Sequence, residues 1–309
     1  MQHNFDDYRA CRLCPRQCGC DRTAGQLGRC GESADCRVAS VGPHFGEEPC
    51  FTGHQGSGTI FFTGCSCGCF FCQNHQISHG HQGRVLTPNE LFKQALALAR
   101  SGVHNLNFVT PDHFWPHLRR LVAELRNAGV EIPFIWNCSG YCNADTLRQQ
   151  LDAMDIFLPD FKFSDAALAD RCMGDDSYPQ LARQAMQLIV ERIGFLRPWD
   201  DSGDICASRG VLVRHLVLPG EVANSLGVLK ILYNDFGTDV PISLMSQYRP
   251  MPACAQRGFL NRQITMAEYQ EVCDYAEELG FRKIFIQPKY GDPNFLPDFN
   301  RRKPFAGNP

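Results

Sequence analysis

Residues 58–75 read GTIFFTGCSCGCFFCQNH, an apolar run that ends in glycine and then presents Cys65, Cys67, Cys69 and Cys72. The run Thr59–Thr63 predicts a buried strand, and the cysteines then fall on a tight loop at its carboxyl end. Four thiolates ordinarily enclose a cubane iron–sulfur cluster. Three of them, Cys65, Cys69 and Cys72 in the spacing C-x3-C-x2-C, leave one metal corner open to a further ligand. A structural zinc loop is the plainer alternative for the same residues. Cys67 adds a nearby fourth thiol, read as a small residue in a crowded loop or as an alternative ligand.

Outward from this loop the chain alternates strand and helix. Further apolar runs stand at Leu106–Val109, Phe134–Trp136, Ile156–Leu158, Val211–Leu218, Ile242–Met245 and Lys283–Ile286. Thr87-Pro88-Asn89-Glu90 and Thr265-Met266-Ala267-Glu268 are capping-box signatures that open helices, with Gly102 and Gly280 as stops. Repeated β–α units with short, doubly buried strands predict an α/β fold with a parallel sheet. A partial (β/α)6-type TIM barrel fits best, with a doubly wound open sheet as the alternative. The cysteine loop then lies on the face where barrel enzymes place their chemistry. The polar stretch 198–210 is expected to be a loop.

Seventeen cysteines in 309 residues are unevenly spread, eleven of them within the first 72 positions. Without a visible secretory signal, such clustering favours metal or catalysis over disulfides, and the cytoplasm is the expected compartment. A net charge of −3 with interspersed signs gives no footprint for nucleic acid, and no apolar run predicts a membrane span. The expected organisation is a Cys-rich module at 1–52, a core at 53–287 and an extended tail at 288–309.

The C-x3-C-x2-C loop with Phe71 before its last cysteine resembles the signature of the radical S-adenosylmethionine (SAM) superfamily. More closely, the chain resembles the activating enzymes of glycyl-radical enzymes such as pyruvate formate-lyase. That likeness runs through Cys11–Cys18 (CRLCPRQC), Gly46–Pro49 (GEEP), Gly58–Phe62, Cys72–Asn74, Pro159–Lys162, Arg214–Gly220 and Met245–Tyr248. It implies a [4Fe–4S] cluster on Cys65, Cys69 and Cys72, with SAM on the open iron and Phe71 beside its adenine. It also implies reductive cleavage of SAM to a 5′-deoxyadenosyl radical that abstracts hydrogen. A reduced flavodoxin or ferredoxin-type protein would then be the electron donor, and a glycyl-radical enzyme, a peptide or a small molecule the substrate.

Under that resemblance, polar residues at strand ends are the candidate SAM contacts. Asn137 and Ser139 suit the ribose or methionyl portion, and Asp160 and Lys162 resemble an Asp-x-Lys motif of the activases. Arg214 suits the SAM carboxylate, and Gln247 a ribose or substrate contact. Structural roles compete in each case: an ion pair for Asp160 and Lys162, a buried pair for Arg214, a loop cap for Asn137. The Gly-Gly-Glu type motif of the family is absent. Val109-Thr110-Pro111-Asp112-His113 stands in its place, with Thr110 or Asp112 as substitutes. His75, His79 and His81 read as solvated loop residues.

Cys11, Cys14, Cys18 and Cys30 supply four thiolates in a segment too small for a core of its own, which predicts a structural zinc or a second iron–sulfur cluster. The lone cysteines read as buried small hydrophobes, with Cys138 and Cys142 singled out because they flank a turn on the expected active face. The rival to an enzyme is a non-catalytic metal protein serving as redox sensor or scaffold.

Overall fold

A computed structural model describes residues 5–287 and 296–305. Its organising element is β2 (Ser57–Phe62), all six residues of which are buried. On one side β2 pairs antiparallel with β1 (Arg37–His44), which carries the two-residue edge strand β3 (Arg84–Val85). On the other side the sheet is parallel, through β4 (Leu106–Val109), β5 (Phe134–Cys138), β6 (Ile156–Pro159) and β7 (Gly210–Val211). The register sets Ile60 beside Phe108, Phe108 beside Trp136 and Trp136 beside Phe157, each fully buried. Covering both faces of such strands demands continuous apolar runs, which is why their positions are legible in the sequence.

Past Leu212 the chain of β7 continues as β8 (Val213–Leu216), which starts a second parallel sheet with β9 (Ile242–Met245) and β10 (Ile284–Ile286). The two sheets meet at β6, where Phe161 N donates to Arg214 O at 2.8 Å. The result is an α/β fold whose parallel strands all aim their carboxyl ends the same way around. Crossover helices pack outside. Helix Pro88–Ala99 starts at the expected capping box, with Thr87 and Glu90 bonded reciprocally, and buries Leu91, Ala95 and Leu98. Helix Met266–Glu278 starts in the same way at Thr265 and Glu268 and buries Tyr269, Val272, Cys273 and Ala276. Among the described residues no helix is long and apolar enough to cross a membrane.

One feature departs from the expected layout. The Cys-rich segment contributes β1, and Tyr8, Cys11, Leu13, Cys36 and Val38 belong to the main hydrophobic core. The strand RVASVGPH escaped notice because its residues do not alternate and most are only half-buried. In the tail, residues 288–295 and 306–309 lie outside the described residues. Residues 296–305 have no regular structure, and Phe299 and Phe305 sit on Phe61 at 5.5 and 5.3 Å.

Candidate active site

The cysteine loop owes its shape to glycine. Gly64 has φ +74°, and a Cβ there would lie 2.6 Å from Cys30 O, so only glycine fits. Cys72 N bonds back to Cys69 O at 3.1 Å, and His75 N to Cys72 O at 3.1 Å, closing consecutive turns. Cys65, Cys67, Cys69 and Cys72 thereby line one cavity of about 540 Å³. The Cys67 thiol lies within hydrogen-bonding reach of Cys65 and Cys69. The bond with Cys67 and then burial hold the Cys65 thiol well above the ordinary range; burial does the same, less strongly, for Cys72. Metal binding has to displace those protons, so loading this loop is pH-dependent.

The wall opposite the loop is built from strand ends. Asn137 (β5), Ser139, Asp160, Lys162, Arg214 (β8) and Gln247 all line the same cavity, as does Phe71. All ten residues predicted for the cluster loop and SAM site therefore meet around one space. Phe71 is fixed among Phe70, Phe163 and Tyr248 at centroid distances of 5.6, 6.3 and 6.0 Å. Asp160 and Lys162 point the same way from extended backbone and form an ion pair. Burial opposes the Lys162 charge most strongly, but Asp160 together with Tyr178, Cys69 and Cys67 outweighs it and raises the ammonium well above its ordinary range. Gln247 is tied to the cysteine loop, its carbonyl accepting from Gln73 Nε2 at 2.6 Å.

Arg214 is engaged differently from the expectation. Its Nε donates to Glu48 Oε1 at 2.9 Å and its Nη2 to both Glu47 and Glu48, all three side chains about nine-tenths buried. Burial would raise the Glu48 carboxyl, but the Arg214 charge and hydrogen bonds bring it below its usual range. The guanidinium is thus occupied by two protein carboxylates. Neither glutamate stood out in the sequence as a partner, since 166 and 167 residues separate them from Arg214.

Of the substitutes for the missing family motif, Thr110 lines the cavity and Asp112 lies buried behind it. Thr110 has φ +54°, a left-handed conformation unusual for a β-branched residue and held by its N–H on Asn137 O at 2.9 Å. His81 is not simply solvated, for its Nδ1 lies 2.7 Å from the buried Glu32 carboxylate.

The N-terminal cysteines are apart from this cavity. Cys11, Cys14 and Cys30 are buried and Cys18 is exposed. They lie close enough for each other's charge to be felt, and Cys14 and Cys30, raised first by burial, are pushed up to about 12 and about 11. Two arginines that went unremarked in the sequence hold the segment in place. Arg22, 1% exposed, donates to His113 O at 2.6 Å and Ser33 O at 2.7 Å and covers the Tyr8 ring. Arg16 donates to the carbonyls of Ser66, Cys67, Met173 and Gly174.

Comparison with known proteins agrees with this geometry. Residues 59–194 match the family described as the Radical SAM superfamily. It is similar to an uncharacterized protein of Methanocaldococcus jannaschii, 24% identical over 90% of this chain and 77% of that protein. Among solved structures it is similar in fold to SuiB of Streptococcus suis, with a TM-score of 0.51 at 9% identity. The same protein bound to S-adenosylmethionine gives a TM-score of 0.50 at 8% identity. These matches cover 75% and 76% of this chain, which spans about half the length of SuiB (50% and 52%).

Proposed function

We propose that this chain is a radical SAM enzyme whose cavity binds a [4Fe–4S] cluster through Cys65, Cys69 and Cys72 and SAM beside it. The observation that carries the reading is the convergence of the cysteine loop and the strand-end residues on one cavity, with the loop in the stretch that matches the Radical SAM superfamily. Three thiols on a glycine-shaped loop, facing a space large enough for a nucleoside-sized ligand, fit the donor set such a cluster requires. When bound and reduced, the cluster supplies the electron that splits SAM to a 5′-deoxyadenosyl radical for hydrogen abstraction.

The protein's own share is binding, orientation and exclusion of water. Phe71 offers an apolar surface for adenine. Asn137, Ser139 and Thr110 offer hydrogen-bonding groups for the ribose and the amino-acid end. Lys162, held charged by Asp160, gives a cation beside the thiolates. Arg214 fixes Glu47 and Glu48 in the wall, where their carboxylates, in excess of one guanidinium, suit a ligand ammonium better than a carboxylate. The parallel strands form the wall of a partial (β/α) barrel, and the segment 1–52 braces the cysteine loop, with Cys11, Cys14, Cys18 and Cys30 holding zinc or a second cluster. The substrate is a peptide or protein, a glycyl-radical enzyme by the family resemblance, and a flavodoxin or ferredoxin-type protein gives the electron.

Anaerobic reconstitution followed by SAM and dithionite tests this. Formation of 5′-deoxyadenosine supports an enzyme. An iron-loaded protein that leaves SAM intact, with or without candidate peptides, would instead be a sensor or scaffold.

A further inference from the structure

Behind the cavity wall lies a second group of potential ligands. Asp112, Cys138 and Cys142 are 4%, 2% and 6% exposed, and their ligand atoms all lie within 4.8 Å of one another. They are the group of this kind found among the described residues. Two unrelated pieces of backbone bring them together. Cys138 ends β5, and the turn Ser139-Gly140-Tyr141 returns Cys142 to the same spot. Gly140 has φ +72°, and a Cβ there would meet Asp160 O at 2.1 Å, so the turn admits no other residue. Asp112 opens the short 3-10 turn after β4, anchored by His113 Nε2 at 2.7 Å from Thr63 O.

A second observation points to a ligand. Asp112 Oδ1 lies 3.9 Å from the Cys142 sulfur, while its Oδ2, inaccessible to solvent, has no hydrogen-bond partner. The Trp136 indole lies beside the carboxylate and lowers its pKa as a hydrogen-bond donor does, although no bond of normal geometry forms and the indole N–H has no other partner. Buried polar atoms are seldom left in this way. We propose that Asp112, Cys138 and Cys142 form a binding site for a thiophilic divalent cation, zinc by its donor set, separate from the cysteine loop.

Two sulfurs and one carboxylate suit zinc and exclude magnesium and calcium as preferred occupants. Three protein ligands leave a fourth position, and Cys138 is the member that lines the cavity. Burial pushes the Asp112 carboxyl up to about 6, and the bond to Cys138 and burial hold the Cys142 thiol high. Zinc uptake here would release those protons and tighten as pH rises.

The test uses the full-length protein, prepared without oxygen, stripped of loosely held metal and titrated with zinc. The wild type should bind one equivalent more than Asp112→Asn or Cys142→Ser, or bind that equivalent at least about tenfold more tightly. Asp112→Asn is diagnostic because no other cysteine group proposed for this chain includes a carboxylate. Zinc binding unchanged in both variants overturns the site. Should either variant fail to fold, alkylation of the wild type decides by mass spectrometry of the peptide carrying Cys138 and Cys142. Slower labelling with zinc than with chelator supports the site; equal labelling, or a Cys138–Cys142 disulfide in both samples, overturns it. Neither readout requires SAM turnover, so the outcome is independent of the proposed radical chemistry.

Discussion

The guanidinium of Arg16 donates from Nη2 to the carbonyl of Cys67 at 3.2 Å, joining a residue of the Cys-rich segment to the middle of the cysteine loop. The same side chain reaches Ser66 O at 3.1 Å, Met173 O at 2.7 Å and Gly174 O at 2.8 Å. A planar fork of donors bridges four carbonyls on two other pieces of chain. Arg16→Ala should cost about 2–3 kcal/mol, the scale of hydrogen bonds to a charged group, and lower the iron retained per chain. Arg16→Lys should restore the charge without the fork and recover little of either. Thermal unfolding with iron analysis reads both; an unchanged iron content in Arg16→Ala would sever the link between segment and loop.

The three-cysteine assignment makes Cys67 separable from its neighbours. Alanine at Cys65, Cys69 or Cys72 should abolish the SAM-cleaving cluster and reduce 5′-deoxyadenosine to background. Cys67→Ser should keep both the cluster spectrum and most of the cleavage. If Cys67→Ser loses the cluster, the open metal corner disappears and with it the proposed chemistry.

The Asp160–Lys162 pair is about three-quarters buried, so removing one partner strands a charge in the cavity wall. Lys162→Met is expected to destabilise the protein by about 2 kcal/mol, below the figure for fully buried pairs because some solvent reaches it. Asp160→Asn combined with Lys162→Met should recover part of that loss in denaturant titrations. Strict additivity in the double variant would mean that the two charges do not interact.

Three histidines set the acid limit of the fold. Burial, the first cause in each case, lowers His113 to about 3, His117 to about 4 and His215 to about 4. His215, fully buried, is held by Phe161 O at 2.7 Å and Ser225 Oγ at 2.9 Å. A base depressed in the folded state contributes stability that is complete above its unfolded value, near 6.5, and is lost as pH falls toward the folded value. At pH 5 the loss is about 2 kcal/mol per histidine. Asp112, raised to about 6, works in the opposite direction between about pH 4 and 6, but it is one group against three. The urea midpoint should fall steadily from pH 6.5 to 4.5, and less steeply in His215→Gln. A midpoint that holds level over this interval would contradict the assignment.

What could be read in advance follows from where each kind of information resides. The central strands declare themselves because burial on both faces leaves mostly apolar positions, and the helix starts at Thr87 and Thr265 are settled by residues three apart. The ten cavity residues were recognisable because a short motif or a strand end marked each of them. The partners that immobilise them were not. Glu47 and Glu48 on Arg214, Arg16 on the loop and Arg22 on His113 join positions between 51 and 167 residues apart, and no local pattern encodes such pairings. β1 was hidden for a related reason, since its identity as a strand comes from lying against β2 rather than from its own half-buried residues.

That neighbour relation has a practical side. From Val38 opposite Phe62 to His44 opposite Ser57, β1 occupies the whole outer margin of β2. A shortened version beginning at residue 53 would bare that margin, a wholly buried ribbon ending in Ile60-Phe61-Phe62 with free amides and carbonyls, and such margins adhere to one another. The leading fifty residues are therefore also a sheath against self-association, and clumping is the fate to expect of the remainder expressed by itself.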